Sequence, residues 1–321
     1  MKTEFYNCPE PKELGASTLP EAPAFLSYEP NWKEIENIAE QYKQYKNIVI
    51  IGHGGSITSF YGMYHALREE STKQVFVLST IDPDYIAELK TSLAPEETLV
   101  IAISKSGETV TQIEALLQFQ EFPMLFITGA AGPLADLAEH FSAKHIMHPP
   151  IGGRYTGLTE VALIPAALCG LDVKAMYKAA KQQYEKFSST NESFKAASVM
   201  YQLEDQGIVD VFVPIYDAHL YGMNNLIIQL CHESFGKDGK GQTYFAHHAP
   251  ESQHHTNQRF FGGRKNIAGW FLSTDAPLQD LTTKVPDGAK KITLKDHTLD
   301  ALDSISLSAA LEAELHGNLE N

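Results

Sequence analysis

The chain alternates short β-branched segments with segments of helical periodicity, and this alternation restricts its fold more than any other feature. Runs such as 47–51, which Gly52 follows directly, are typical of buried parallel strands. Regular alternation of such strands with helices predicts a doubly wound, mostly parallel α/β sheet with helices on both faces. Strands are predicted at 47–51, 74–78, 98–103, 124–128 and near 145–147, and helices at 31–45, 60–67, 83–89, 109–119 and 134–140.

A second α/β unit of the same kind is predicted after residue 175. With 321 residues the chain is long enough for two domains that each have a core. We predict an N-terminal wrapping segment and helix over 1–45, a first domain over 46–175 and a second over 176–321, with no sequence repeat relating the two. The further strands are predicted at 208–215, 267–272 and 291–294, and the further helices at 159–169, 173–187, 219–232 and 306–315.

Composition and charge exclude several classes of partner. The formal net charge is −15 without a long basic run, so neither nucleic acid nor an anionic membrane surface is an expected partner. Three cysteines, an odd number without paired spacing, indicate reduced thiols and a cytoplasmic protein. We find no secretory leader and no apolar run long enough to span a bilayer.

Two polar loops directly follow predicted strands, and together they predict a phosphate site. In Gly52–Ser56 the glycines allow the backbone to approach a ligand closely, although the spacing is not that of a dinucleotide site. In Ser104–Thr109 three hydroxyls precede a helix, whereas plain capping of that helix needs only one. Open α/β sheets bind ligands at the carboxyl ends of neighbouring strands, where both loops should lie.

Glu233 and His254 are candidate proton-transfer groups. Glu233 ends an apolar helical run and is followed by Gly236 and Lys237, and His254 lies in a segment too polar for a core. A carboxylate and an imidazole can together move protons on and off carbon and oxygen. A glutamate at a helix end is most often simply solvated, so the functional interpretation depends on the motifs occurring together.

Four segments in this order resemble the phosphoglucose isomerase family and its sugar-isomerase (SIS) domains. They are Ser104–Thr109, Gly152–Tyr155, Glu233–Lys237 and Gln253-His254 with Gln258. The resemblance implies two SIS domains of three αβα layers and an aldose–ketose isomerase of glycolysis and gluconeogenesis. That enzyme would interconvert glucose 6-phosphate and fructose 6-phosphate through a cis-enediol, without cofactor or metal.

The resemblance also implies a role for each matching residue. Glu233 would carry the proton between C1 and C2, His254 would open the sugar ring, and Arg154 would stabilise the negative enediolate oxygen. His254 would reach the site from the neighbouring subunit of a homodimer. The residues implied in binding the phosphosugar are Gly54, Gly55, Ser56, Ser104, Lys105, Ser106, Thr109 and Gln258.

Several alternatives stay open at this point. Segment 312–317 contains no lysine where long members of the family supply one, and His316 is a candidate replacement. The enzyme could also accept mannose 6-phosphate, or the chain could be a non-catalytic sugar-phosphate sensor. A metal site is a further alternative, although the spacing matches no usual ligand pattern; its ligands would be His247, His248, His254, His255 and Glu251.

Overall fold

A five-stranded parallel sheet forms the first half of the protein. The computed structural model describes residues 2–12, 23–184, 191–275 and 277–319. The strand order is β2-β1-β3-β4-β5, a doubly wound order. Strand β2 is added on one side of β1, and the later strands are added on the other side. The predicted α/β class and all five predicted strands are confirmed. The strands are β1 (Asn47–Ile51), β2 (Gln74–Leu78), β3 (Thr98–Ser104), β4 (Met124–Thr128) and β5 (Lys144–Met147).

Helices cover both faces of this sheet because alternate side chains of each strand point to opposite faces. Ile48, Ile50 and Ile101 pack on one side with α1, α2 and α6, and Val49 and Val100 pack on the other with α3, α4 and α5. These buried contacts supply the core that holds the site loops. The helices are α1 (Trp32–Gln41), α2 (Thr58–Ala66), α3 (Pro83–Ser92), α4 (Val110–Leu116), α5 (Pro133–His140), α6 (Glu160–Leu168) and α7 (Val173–Tyr184). The last three residues of the predicted helix 173–187 lie outside the described residues.

A smaller parallel sheet follows, with strand order β7-β6-β8. Helix α9 packs on one face through Ile227, and α10 packs on the other, where the rings of Phe260 and Phe212 lie 6.1 Å apart. The elements are α8 (Glu192–Asp205), β6 (Asp210–Ile215), α9 (Asn224–Phe235), β7 (Thr243–His248), α10 (Gln253–Gly262) and β8 (Ile267–Gly269). The domain boundaries at 45/46 and 175/176 stay a prediction.

Several predicted element boundaries in the second half were wrong. Strand β7 and helix α10 were missed because their sequences are polar, and their structure depends on pairing with β6 and packing on the sheet. The strand predicted at 267–272 ends at Gly269, and the helix predicted from 219 begins with a 3-10 turn at Leu220. The strand predicted at 291–294 is a two-residue partner in the hairpin β9 (Thr293–Leu294) and β10 (His297–Thr298), which precedes α11 (Leu307–Leu319).

The segment before α1 is fastened to the first core by a buried carboxylate. Glu160, at the start of α6, is 4% exposed. Its two oxygens accept hydrogen bonds from the Tyr28 hydroxyl and the Asn31 amide, each at 2.6 Å. Burial and the adjacent Glu160 carboxylate raise the pKa of Tyr28, so the phenol remains a hydrogen-bond donor. Within the described ranges, no helix combines the length and the apolar character needed to cross a membrane.

Candidate active site

The two polar loops meet at the carboxyl ends of β1 and β3, which are neighbours in the sheet. The buried Gln112 side chain joins these ends, because its Nε2 donates to the Ile51 carbonyl at 2.9 Å and to the Ile103 carbonyl at 2.7 Å. The ring Nε2 of His53 also lies 3.2 Å from Thr111 Oγ1 in the first turn of α4. The loop after β1 and the loop before α4 therefore form one continuous surface.

The loop 104–109 uses two of its hydroxyls as acceptors in its own turns. Ser104 Oγ accepts from the Gly107 amide at 3.2 Å, and Ser106 Oγ accepts from the Glu108 amide at 3.3 Å. Thr109 lies at the N-cap of α4 without a side-chain capping bond. A hydroxyl that accepts a hydrogen bond can still donate its own proton. Lys105 and Ser106 are exposed, whereas Ser104, at the end of β3, is 5% exposed. The loop can therefore offer several donors at once.

Gly55 allows the loop after β1 to lie directly against the segment that carries Arg154. A Cβ atom at Gly55 would lie 2.2 Å from the Gly153 carbonyl carbon and 2.3 Å from the Arg154 nitrogen. Such distances are impossible for any larger residue. Thr156 Oγ1 strengthens the contact, because it lies 3.3 Å from the Gly55 carbonyl, to which it donates across the two segments, and 2.7 Å from the Gly153 carbonyl within its own segment.

Arg154 joins this segment to the end of α9. Its Nη1 donates to Glu233 Oε2 at 3.2 Å and its Nε donates to Ser234 Oγ at 3.1 Å. The Glu233 side chain is 51% exposed, so this carboxylate is held in position and still accessible to a ligand. The structure thus brings together two of the three predicted catalytic residues, Arg154 and Glu233.

The other oxygen of Glu233 is held by residues that the sequence interpretation missed. Gln229 Nε2 donates to Glu233 Oε1 at 2.9 Å, one helical turn away, and Gln229 Oε1 accepts from Thr58 Oγ1 at 3.0 Å. Gly54, with φ +51°, lies against the same amide: a Cβ there would be 2.8 Å from Gln229 Nε2. The available signal was the i, i+4 spacing of Gln229 and Glu233 on a helix.

Tyr155 is a further missed residue at this site. Its hydroxyl lies 2.9 Å from Ser234 Oγ, and the Arg154 guanidinium carbon lies 4.6 Å from its ring centroid. Burial opposes ionisation of the phenol, but hydrogen bonds to Ser234 and Arg154 and the positive charge of Arg154 outweigh it and lower the pKa of Tyr155. The ring also stacks on Phe25, with centroids 5.1 Å apart.

The third predicted catalytic residue, His254, lies in the first turn of α10 and is exposed. Among the residues that the structure describes, none forms a hydrogen bond or ion pair with its ring. Gln258 is exposed on the same helix and lies against Gly262, where a Cβ would be 2.7 Å from Gln258 Nε2. No contact within the described part of the chain joins these two side chains to Glu233. The structure therefore does not bring them into the Arg154–Glu233 cluster.

The clustered histidines do not assemble into a metal site. The His247 and His255 rings lie 5.5 Å apart, but His248 stacks on Tyr221 with centroids 3.3 Å apart. Across the described ranges, no three His, Cys, Asp or Glu side chains are grouped so that they could hold a metal ion. His254 and His255 are neighbours in the first turn of helix α10.

Comparison with known families decides the family of this chain. Residues 31–262 match the phosphoglucose isomerase family model, which covers more than half of the protein and every segment of the candidate site. The chain belongs to the phosphoglucose isomerase family.

Individual relatives agree with this membership. The chain is 25% identical over 284 residues to a protein named "Probable glucose-6-phosphate isomerase" from Haloarcula marismortui, covering 84% of this chain and 63% of the relative. It is 29% identical over 272 residues to the glucose-6-phosphate isomerase of Carboxydothermus hydrogenoformans, covering 75% of this chain and 57% of the relative. The chain thus spans about three fifths of the length of these relatives. A hypothetical protein of known structure from Thermus thermophilus superposes with a TM-score of 0.79 at 25% identity, covering 89% of this chain and 71% of that one.

In this phosphoglucose isomerase family member, His316 lies on α11 and is half exposed. Its ring Nε2 is 3.7 Å from Glu312 Oε1, one turn earlier on the same helix. In the described residues no contact joins His316 to Arg154 or Glu233. That His316 replaces the lysine of longer family members therefore stays a prediction.

Proposed function

We propose that the protein is an aldose–ketose isomerase that interconverts glucose 6-phosphate and fructose 6-phosphate. The observation that carries this proposal is the Glu233 carboxylate, which is held through both oxygens by Gln229 and Arg154 and remains half exposed near the loop after β1. A solvated surface glutamate would have no need of such fixation. A sugar-phosphate sensor would need the loops but not a positioned base.

The phosphate is proposed to bind to the loop 104–109. Its free hydroxyl protons, the Lys105 ammonium and the amides at the start of α4 are the donors that a phosphate monoester requires. Gly54 and Gly55 are proposed to line the sugar through their backbone, while their lack of side chains lets Gln229 and Arg154 approach this loop closely. Ser56 completes this surface.

Glu233 is proposed to act as the single base. It would remove the proton from C2 of the open-chain aldose, leaving a cis-enediolate, and return that proton to C1 on the same face. Arg154 is proposed to stabilise the negative oxygen of this intermediate. Its hydrogen bond to Glu233 would orient the base at the same time. Gln229 and Ser234 keep both side chains in one geometry.

His254 is proposed to open the sugar ring from the neighbouring subunit of a homodimer. Its exposure, and its separation from the Arg154–Glu233 cluster within the described part of one chain, fit a residue that completes a second site. Gln258, one turn later on the same helix, would contact the sugar in that site. If His254 comes from the neighbouring subunit, dilution that separates the subunits should abolish ring opening before it abolishes the other steps of the reaction.

The decisive experiment follows deuterium exchange at C2 of glucose 6-phosphate in deuterated water, together with a coupled assay of fructose 6-phosphate conversion. The proposal expects exchange and turnover in the presence and absence of a chelator, and expects loss of both in Glu233→Gln. Binding of fructose 6-phosphate without any turnover would instead favour the sensor. Loss of turnover on chelation, restored by a stoichiometric metal, would favour a metal enzyme.

A further inference from the structure

Helix α11 is tied to helix α10 by a buried polar network centred on Asn318. Asn257 Nδ2 donates to Asn318 Oδ1 at 2.6 Å, and Asn318 Nδ2 donates to the Tyr216 hydroxyl at 3.1 Å and to the Glu314 carbonyl at 2.7 Å. Gln253 Nε2 donates to the same Tyr216 oxygen at 2.5 Å. Asn318 is 8% exposed and Tyr216 is 4% exposed, so these bonds take the place of hydrogen bonds to water.

The network holds the face of α10 that adjoins His254. Gln253 and Asn257 are four residues apart and therefore lie on one face of the helix, where both are bound. His254 directly follows Gln253, so its direction is set by the rotation of α10 about its own axis. On the sheet side α10 is held by the packing of Phe260 on Phe212, which allows more rotation than directional hydrogen bonds do.

Burying an asparagine side chain at this position costs free energy. An apolar residue of similar size would avoid the cost of removing an amide from water. Asn318 offsets that cost by using its amide nitrogen and its carbonyl oxygen in defined bonds to two other elements. Fully satisfied polar networks of this kind specify one arrangement of the elements they join.

We propose that Asn318 is a positioning residue for His254: through Asn257 and Tyr216 it fixes the rotation of α10 and thereby the direction of the imidazole. The inference rests on the proposed function, in which His254 transfers the proton that opens the sugar ring. It adds a residue from α11, beyond the part of the chain that the family model matches. The positioning role predicts a defect in ring opening and not in phosphate binding.

The test compares Asn318→Leu with Ala313→Leu, which introduces the same side chain at an exposed position of the same helix. The rate of anomer interconversion of glucose 6-phosphate is measured by NMR exchange, together with kcat and KM of isomerisation. We expect Asn318→Leu to slow ring opening by about 10- to 100-fold, the size of effect expected for a misplaced reacting group. We expect KM and the folded fraction to stay unchanged. We expect the same of C2 proton exchange in an acyclic aldose phosphate, which cannot form a ring.

Ring opening in Asn318→Leu at the rate of Ala313→Leu would overturn the proposal. If Asn318→Leu does not fold, Tyr216→Phe decides, because it removes the oxygen that receives both Gln253 and Asn318. If the unaltered protein shows neither ring opening nor isomerisation, the proposed function itself fails. In that case, amide hydrogen exchange in α10 decides the positioning claim: faster exchange in the variant supports it, and unchanged exchange overturns it.

Discussion

Arg154 and Glu233 are 79 residues apart in the chain, yet Arg154 Nη1 lies 3.2 Å from Glu233 Oε2. Arg154 belongs to the first half of the protein and Glu233 to a helix that packs on the second sheet. Thr58 and Gln229 form a second bond between the same halves, at 3.0 Å. The candidate site is therefore made by the contact of the two halves, and neither half contains it alone.

Replacing the proposed base should stop isomerisation without preventing binding. Glu233→Gln keeps the size of the side chain and removes its ability to accept a proton, so we expect kcat to fall by about 10²- to 10⁴-fold. Fructose 6-phosphate binding, measured by calorimetry, should change little because the phosphate loop is intact. Near-normal turnover in this variant would rule out Glu233 as the base.

Arg154→Lys tests whether the guanidinium acts through its geometry as well as its charge. Lysine keeps the positive charge, but it cannot donate to Glu233 and to Ser234 from one planar group. We expect kcat to fall by roughly 10²-fold, as for removal of one donor to a developing oxyanion. Ser234→Ala is the control: it removes the bond that orients Arg154 and the contact with the Tyr155 hydroxyl but leaves the guanidinium in place, so it should have the smaller effect. Equal activity of Arg154→Lys and the unaltered protein would contradict the assignment.

The first sheet could be predicted because its strands are buried on both faces. Ile48, Val49 and Ile50 are each 0% exposed, so the sequence there is a continuous apolar run that is easily recognised. Strand β7 has no such run: it carries Thr243 and His247 on exposed positions and is a strand because it pairs with β6. That pairing is a long-range contact, which local periodicity does not contain.

The same distinction applies to the candidate site. Glu233, Arg154 and the two loops were predictable because each stands beside glycines or hydroxyls in a recognisable order. Gln229 and Thr58 have no local signal of function, since their role depends on a contact between α9 and α2. The position of α10 likewise depends on Asn318, which is 61 residues from its partner Asn257.

The cysteines should differ sharply in reactivity. Burial raises the pKa of Cys169 and of Cys231 to about 12 in each case, so at pH 8 only about one molecule in 10⁴ carries either thiolate. Cys8 is less buried, although burial raises its pKa too. At pH 8 we expect Ellman's reagent to modify Cys8 first, and the other two far more slowly until the protein is unfolded. Below pH 12 their native rates should rise about tenfold per pH unit. As a control, Cys8→Ser should lose the fast phase of the reaction. Rapid modification of Cys231 in the folded protein would contradict the burial of that side chain.

Glu160 should matter for stability far more than an exposed glutamate. Glu160→Ala leaves the Tyr28 hydroxyl and the Asn31 amide without their buried acceptor, so we expect the free energy of unfolding to fall by about 2–4 kcal/mol. Glu36→Ala, which removes an exposed ion pair with Lys174, should cost about 0–1 kcal/mol. Urea unfolding measures both, and equal losses would show that Glu160 does not anchor the segment before α1.

Gly55→Ala tests the contact on which the candidate site depends. The new methyl group would lie 2.2 Å from the backbone of Gly153, which cannot move without moving Arg154. We expect a loss of stability of about 3 kcal/mol or more and loss of turnover, because overpacking against backbone is poorly relieved. Gly153→Ala is the matched control, since its methyl group would meet Gly55 Cα at 3.6 Å, an ordinary contact. Thermal unfolding and the coupled assay are measured on both variants. If both keep full activity, the loop after β1 does not need to touch the Arg154 segment, and the geometry proposed for the sugar site is wrong.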